Sequence, residues 1–402
     1  MEQKPNNHFW KGALIGALAM LCVGLLIGET GNKFFDKGNG IADEQDVIVT
    51  EETINKLKAI QAAIDMNYLY LDEIDKQKVQ DYLIKGYVQG LDDPYTVYYD
   101  EAETTQLFES TEGTFGGIGV GIQQDTTSGL ITFTRIYKDA PGEKAGFKEG
   151  DIVYKVDGED VTGQDLDTVV SQIRGEIGTD VEITVIRDGK EYTGTATRAE
   201  IENDTVEYEM KADKVGYIQV TGFENVTLKQ FEEALDDLNK QGMKGLIIDL
   251  RTNPGGNLST VRDMVDLILS EGTIVSIKYR NGNEEVYEAD KENKLDVPLV
   301  VLTNQYSASA SEIFAGAVQD HEIGVLVGTT TYGKGVVQEI YSLGDGTSFK
   351  ITTSEYFTPS GRNIHGKGIK PDVEVEYEYD EANPDYDNQL EKAIEVLKEN
   401  ML

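Results

Sequence analysis

The sequence predicts an α/β core preceded by a β-rich α+β module, a helical region and a single N-terminal transmembrane helix. Three observations carry that prediction. An uncharged apolar run fills residues 12–28, a glycine-rich stretch at 116–121 precedes a period-two strand, and from about residue 204 short apolar strands alternate with amphipathic helical patterns.

At 402 residues the chain has room for two or three domains and a sizeable core. Its 36 basic and 73 acidic side chains give a net charge of −37, which argues against nucleic acid as a partner. Anionic lipid headgroups would also repel such a chain, so membrane attachment must come from an apolar segment. The single cysteine, Cys22, lies inside the apolar run, which removes cysteine nucleophiles and cysteine-based zinc sites from consideration.

The run at 12–28 follows Trp10 and Lys11 and is closed by Glu29. It is short for a spanning helix but long for the apolar part of a signal peptide. No Ala-x-Ala site follows it, and Leu21 before Cys22 lacks the small residue that lipid modification needs, so it reads as an uncleaved anchor. Lys4 and Lys11 precede it while Lys33 and Lys37 follow, a modest bias that places residues 1–11 in the cytoplasm and the bulk of this single-pass membrane protein outside it. Residues 29–51 read as a polar tether. Over 52–103, Ile54, Leu57 and Ile64 form one helical stripe and Val79, Leu83 and Tyr87 another, until Asp93-Pro-Tyr-Thr96 ends the pattern.

The glycine-rich stretch is Gly116-Gly-Ile-Gly-Val-Gly121, followed by Ala145-Gly-Phe-Lys-Glu-Gly-Asp151 and the strand Val181-Glu-Ile-Thr-Val185. Consecutive glycines let backbone N–H groups turn inward around a chain-terminal carboxylate, while Ile118 and Val120 would line an apolar pocket beside it. Taken alone, the run also fits a hairpin turn. Arg174 fits either a carboxylate contact or a salt bridge and is left unassigned.

The core reads as strand over 215–223, helix over 228–240, strand over 245–250, helix over 258–269, then Leu299-Val-Val-Leu302, helix over 311–319 and strand over 323–327. A hairpin over 335–342 and 348–356 places Lys334, Val336 and Gln338 on one face by period two. Residues 390–402 read as an acidic helix available for subunit contact. Within this frame Ser307-Ala-Ser309-Ala-Ser311-Glu312 opens a helix, so a serine hydroxyl sits where unpaired N–H groups favour a developing oxyanion. Lys334 returns between Gly333 and Gly335, with Gln338 four residues on. The pattern reads as a Ser/Lys nucleophilic site, although the serines alone also fit helix capping. Gly328-x4-Gly333-Lys334 falls one residue short of a phosphate-binding loop, because Gly335 stands where Ser or Thr is needed. Of three histidines, His8 precedes the anchor, His321 suits a helix C-terminus, and His365 stays open as a base. A lysine base working near neutral pH must lie roughly three pH units below the ~10.4 of a free amine, equivalent to ~4 kcal/mol in favour of the neutral form.

Asn304-x-x-Ser-Ala-Ser-Ala-Ser-Glu312, Gly333-Lys-Gly-x-x-Gln338 and Asp249-Leu-Arg-x-Asn-Pro-Gly-Gly256 together resemble the carboxyl-terminal processing peptidases, or tail-specific proteases, and the glycine-rich module resembles a bacterial PDZ domain. The resemblance implies Ser309 as nucleophile, Lys334 as general base, Gln338 as the group that orients the lysine, and structural roles for Ser307 and Ser311. It implies an oxyanion hole from a glycine amide at Gly255 or Gly256 with that of Ala310, in a crotonase/Clp-like α/β protease core. It assigns Gly117, Ile118, Gly119 and Val120 to peptide binding. The expected organisation is a dimerisation-type helical region at 52–103, PDZ at 104–198, peptidase core at 199–380 and a C-terminal helix at 381–402. The implied partners are protein substrates with apolar C-terminal tails and a second subunit in a homodimer; a protein regulator is compatible with the sequence, which carries no motif for one. No metal or cofactor is needed, and the PDZ module is expected to gate cleavage. Two readings compete: an anchored, non-catalytic PDZ scaffold, and an acyl-coenzyme A enzyme in which the Gly255–Gly256 turn is a phosphate loop.

Overall fold

The computed structural model describes residues 48–290, 295–383 and 386–401. The expected anchor at 12–28 and nearly all of the tether lie outside the described residues, and among the described residues no helix is long and apolar enough to cross a membrane. Two compact units are present. The first comprises the described part of Met1–Thr105 with Val337–Thr353, the second Gln106–Val336 with Ser354–Leu402.

The first unit begins with α1 (Glu51–Asn67), whose N-cap Thr50 accepts from the Thr53 amide, and α2 (Lys76–Gln89), capped by Asp75. The two predicted stripes are present, and their apolar residues are largely uncovered. No residue of α1 is buried, and Val79, Leu83 and Tyr87 of α2 are each about half exposed. Strand β1 (Val97–Tyr99) follows the Asp93 turn, and the division between the units falls after Thr105, within α3 (Glu101–Glu112).

The next module is built from β2 (Thr114–Gly117), β3 (Val120–Gln124), β4 (Ile131–Ile136), α4 (Pro141–Lys144), β5 (Ile152–Val156), β6 (Glu159–Asp160), α5 (Leu166–Ile173), β7 (Asp180–Arg187), β8 (Lys190–Thr197) and β9 (Ala199–Glu202). Its sheet runs β3-β4-β5-β7-β8 around a core that includes Ile118, Phe133, Phe147, Val169 and Ile183. The first and last strands, β2 and β9, pair antiparallel, so both connections of the module leave as one ribbon.

The core then alternates β10 (Val206–Met210), β11 (Val215–Val220), α6 (Thr227–Lys240), β12 (Gly245–Asp249), α7 (Leu258–Asp266), β13 (Gly272–Tyr279), β14 (Glu284–Ala289), β15 (Leu299–Thr303), α8 (Ala310–Asp320) and β16 (Val325–Gly328). The chain continues through β17 (Val336–Ser342) and β18 (Ser348–Phe357), of which Val337–Thr353 belong to the first unit, and returns to the core with β19 (Val373–Glu374) and α9 (Asn388–Asn400). The main sheet has the order β10-β11-β12-β15-β16-β19, parallel throughout except for edge strand β10. Strands β12 and β15 are buried at every position, as their unbroken apolar runs require of strands covered on both faces. Ile247, Val300, Leu302 and Val327 meet Ala393, Val396 and Leu397 of α9, so the helix expected to contact another subunit spends its apolar face on its own sheet. The turns that follow β12 and β15 lie at the carboxyl ends of parallel strands, where α/β sheets place their ligands.

Candidate active site

Ser309 closes the turn after β15 and stands at the N-cap of α8 with φ 55° and ψ −112°. A non-glycine residue in that region carries roughly 1–3 kcal/mol of strain, which the surroundings must hold in place. They do so through buried bonds. Ser307 Oγ accepts from the Asn304 amide (2.9 Å) and donates to the Leu250 carbonyl (2.7 Å), and Ser311 Oγ donates to the Asn253 carbonyl (2.9 Å). Both serines are fully buried, as their expected structural roles require. Asn253 completes the tie, donating Nδ2 to the Val220 carbonyl and accepting the Gly255 amide on Oδ1, each at 2.8 Å.

That last bond separates the two glycines expected to offer amides. The Gly255 N–H is turned inward to Asn253. Gly256 forms a parallel bridge with Phe223 whose bonds use the amides of Phe223 and Asn257 and the carbonyls of Gly255 and Phe223, leaving the Gly256 N–H outside the bridge. Neither position tolerates a side chain. A Cβ on Gly255 would stand 2.8 Å from Ser309 Cβ and 3.0 Å from the Ala310 nitrogen, and one on Gly256 would stand 2.3 Å from the Phe223 carbonyl oxygen.

Glu312 joins the serine turn to the lysine loop. Its carboxylate is fully buried and accepts from the Ser309 amide (2.9 Å), the Gly333 amide (2.7 Å), the Lys334 amide (2.8 Å) and Thr331 Oγ1 (2.6 Å). The Ser309 and Lys334 amides share the same oxygen, Oε2, so their nitrogens are held within the span of two hydrogen bonds. Burial pushes the carboxyl above its ordinary range while the four donors pull it back. Gly333 has φ 91°, and a Cβ there would stand 2.9 Å from the Lys367 and Gly368 amides. Tyr356 is almost fully buried and donates to the Ser309 carbonyl at 3.1 Å.

Lys334 lies two residues before β17, which begins at Val336, so of the expected face Val336 and Gln338 are on the strand and the lysine is not; the Lys334 position is tied by its amide bond to Glu312 Oε2. Gln338 lies on β17 in the first unit and donates Nε2 to Thr352 Oγ1 (3.2 Å). His321 caps the far end of α8, with Nε2 at 2.7 Å from the Thr273 carbonyl. His365 is solvent-exposed, with its backbone against Gly335. Sequence reasoning missed the roles of Glu312 and Asn253, because both lie inside the motif and neither is a nucleophile or a base.

In the β-rich module, Gly117, Ile118, Gly119 and Val120 all line one cavity of about 220 Å³, opposite Val170 and Ile173 of α5. Gly119 has φ 67°, and a Cβ there would meet Ala140 at 2.4 Å. Arg198 fixes the end of α5 by donating to the Ile173 and Gln172 carbonyls, each at 2.9 Å. Arg174 stacks on Phe115 with 3.9 Å between guanidinium carbon and ring centroid.

Residues 214–375 match peptidase family S41, 132–187 match the PDZ domain, and 14–104 match the activating protease CtpB N-terminal domain. The chain is 36% identical over 370 residues to the carboxy-terminal processing protease CtpA of Bacillus subtilis (strain 168), covering 92% of this chain and 76% of that one. It is 35% identical over 338 residues to CtpB of the same organism, covering 82% and 69%, and 35% identical over 343 residues to a probable CtpA-like serine protease of Staphylococcus haemolyticus (strain JCSC1435), covering 84% and 67%. The chain therefore belongs to the carboxy-terminal processing proteases of peptidase family S41, serine-type peptidases, and carries a PDZ domain.

Proposed function

We propose that the chain is a membrane-anchored endopeptidase that engages protein substrates by apolar C-terminal tails and cleaves them with Ser309, Lys334 and Gln338. The observation that carries this reading is the single Glu312 oxygen that binds both the Ser309 and the Lys334 amides. A neutral Lys334 amine takes the proton of Ser309 Oγ as the oxygen attacks a peptide carbonyl. The developing oxyanion is held by the Ala310 amide at the N-terminus of α8 and by the Gly256 amide; the inward-turned Gly255 amide supports the turn. The lysine ammonium then protonates the leaving amine, and the neutral amine activates the water that releases the acyl group. Gln338 orients the lysine without adding a negative charge that would raise its pKa.

In this reading the PDZ module occupies 104–198, the peptidase core of crotonase/Clp-like type occupies 199–380, and 381–402 closes the core. Residues 12–28 anchor the chain with its catalytic part outside the cytoplasm. The uncovered apolar residues of α1 and α2 are the contact of a homodimer, and a protein regulator and the PDZ module restrain cleavage.

The test is cleavage of one loosely folded protein with and without an apolar C-terminal tail. The parent is expected to favour the tailed form, and Val170→Asp in the groove wall is expected to remove that preference. Equal cleavage of both forms by the parent would contradict recognition by the tail.

A further inference from the structure

The end of the PDZ module and the turn that carries Gly256 meet at a short loop, Phe223-Glu224-Asn225, and at Asn257, the residue after Gly256. We propose that this loop transmits the position of the PDZ module to the oxyanion turn, with Asn225 and Asn257 as its positioning residues. The inference rests on the reading that tail binding gates cleavage.

On the PDZ side, the ribbon of β2 and β9 ends where the Asn203 amide donates to the Gly113 carbonyl (2.8 Å). The loop grips that end at three points. The Asn225 amide donates to the Thr111 carbonyl (3.1 Å), Asn225 Nδ2 donates to Glu112 Oε2 (2.7 Å), and Asn203 Nδ2 donates to Glu224 Oε2 (2.9 Å). Gly113, with φ 77°, admits the loop because it has no side chain; a Cβ there would stand 2.6 Å from both Glu224 Oε2 and Val226 Cγ2.

On the catalytic side, the same loop forms one wall of the oxyanion turn. The Phe223 amide donates to the Gly255 carbonyl (3.0 Å), and the Asn257 amide donates to the Phe223 carbonyl (2.6 Å). A shift of Phe223 would therefore carry Gly256 with it, since that bridge already lies too close for a Cβ.

Asn257 shows what the arrangement asks of a side chain. It is the N-cap of α7, a position where asparagine ordinarily accepts from its own helix, yet it makes no such bond. Its Nδ2 instead donates to Asn225 Oδ1 (2.7 Å) and to the Thr111 carbonyl (2.9 Å). The residue directly after Gly256 thus gives up capping its helix to hold the loop and the PDZ connection together.

The experiment uses the full chain with Asn225→Ala and Asn225→Asp, the tailed and untailed substrates, and direct binding of a tail peptide. Asparagine-to-aspartate keeps the acceptor for Asn257 but removes the donor to Glu112 and sets two carboxylates together. For both variants kcat on the tailed substrate is expected to fall by about tenfold, a coupling loss of ordinary size, while tail-peptide Kd and turnover of the untailed substrate stay unchanged. Combined with Val170→Asp, Asn225→Ala is expected to cause no further loss. An equal fall on both substrates would overturn the proposal, as would a tail preference that survives both changes. Parental cleavage indifferent to the tail would instead remove the gating reading and the loop proposal with it.

Discussion

The serine turn and the PDZ groove are both built on glycines, but they use them for opposite ends. Around Ser309, glycine lets backbone approach backbone so that polar groups are satisfied without water: Ser307, Ser311, Asn253 and Glu312 are all fully buried and hydrogen-bonded. In the groove, glycine clears space, and the walls are the apolar side chains of Ile118, Val120, Val170 and Ile173. A buried polar network loses heavily when one member is removed, because its partners are left unpaired. An apolar groove loses affinity in proportion to what is removed and leaves the rest of the fold standing.

The largest effect should follow Glu312→Ala, which strands three amides and a hydroxyl. At about 1–3 kcal/mol for each buried group left unsatisfied, less what entering water restores, denaturant unfolding should show a loss of at least ~3 kcal/mol with no measurable cleavage. Stability within 1 kcal/mol of the parent, on the order of a surface change, would dissolve the contrast. Gly256→Ala comes next: its Cβ has no room beside Phe223, and turnover should fall by about a hundredfold, the size of a lost oxyanion donor, with a lowered thermal midpoint. Val170→Asp should do the reverse, weakening tail-peptide binding by about tenfold or more in a titration while the thermal midpoint hardly moves.

The smallest effect concerns pH and has opposite signs in the two regions. In the PDZ module Asp151 is buried, which alone would raise its pKa, but Arg187 at 2.7 Å holds it below 3.8. Its contribution is present above the ordinary aspartate range and is lost as pH falls through the depressed value. Burial raises Glu312 above 4.5, so its contribution is full below the ordinary glutamate range and declines as pH rises through the raised value. Thermal midpoints measured across pH for Asp151→Asn and Glu312→Gln, each minus the parent, should therefore slope in opposite directions.

Much of this was legible in the sequence. The apolar runs at 245–250 and 299–302 gave the central strands, and Gly117 to Val120 do line one cavity with α5. Lys334 stands two residues before the first residue of β17, so period-two alternation reaches Val336 and Gln338 but does not place the lysine; the close approach of Gly333 and Gly335 to the 365–368 loop fixes that segment. Glu312 three residues after Ser309 reads locally as part of a helix cap, and its second set of partners, Thr331 to Lys334, arrives only when a segment about twenty residues later folds back. The stripes of α1 and α2 show the limit of periodicity, which reports that a face is apolar but not what covers it.

The central claim is that Ser309 and Lys334 act together as nucleophile and base. Its most direct test is cleavage of a loosely folded protein ending in apolar residues by the parent, Ser309→Ala and Lys334→Ala, with and without a chelator, alongside thermal midpoints. The account predicts parental cleavage indifferent to the chelator, and two folded variants without activity. Cleavage that survives in folded Lys334→Ala, or that the chelator removes, would contradict it.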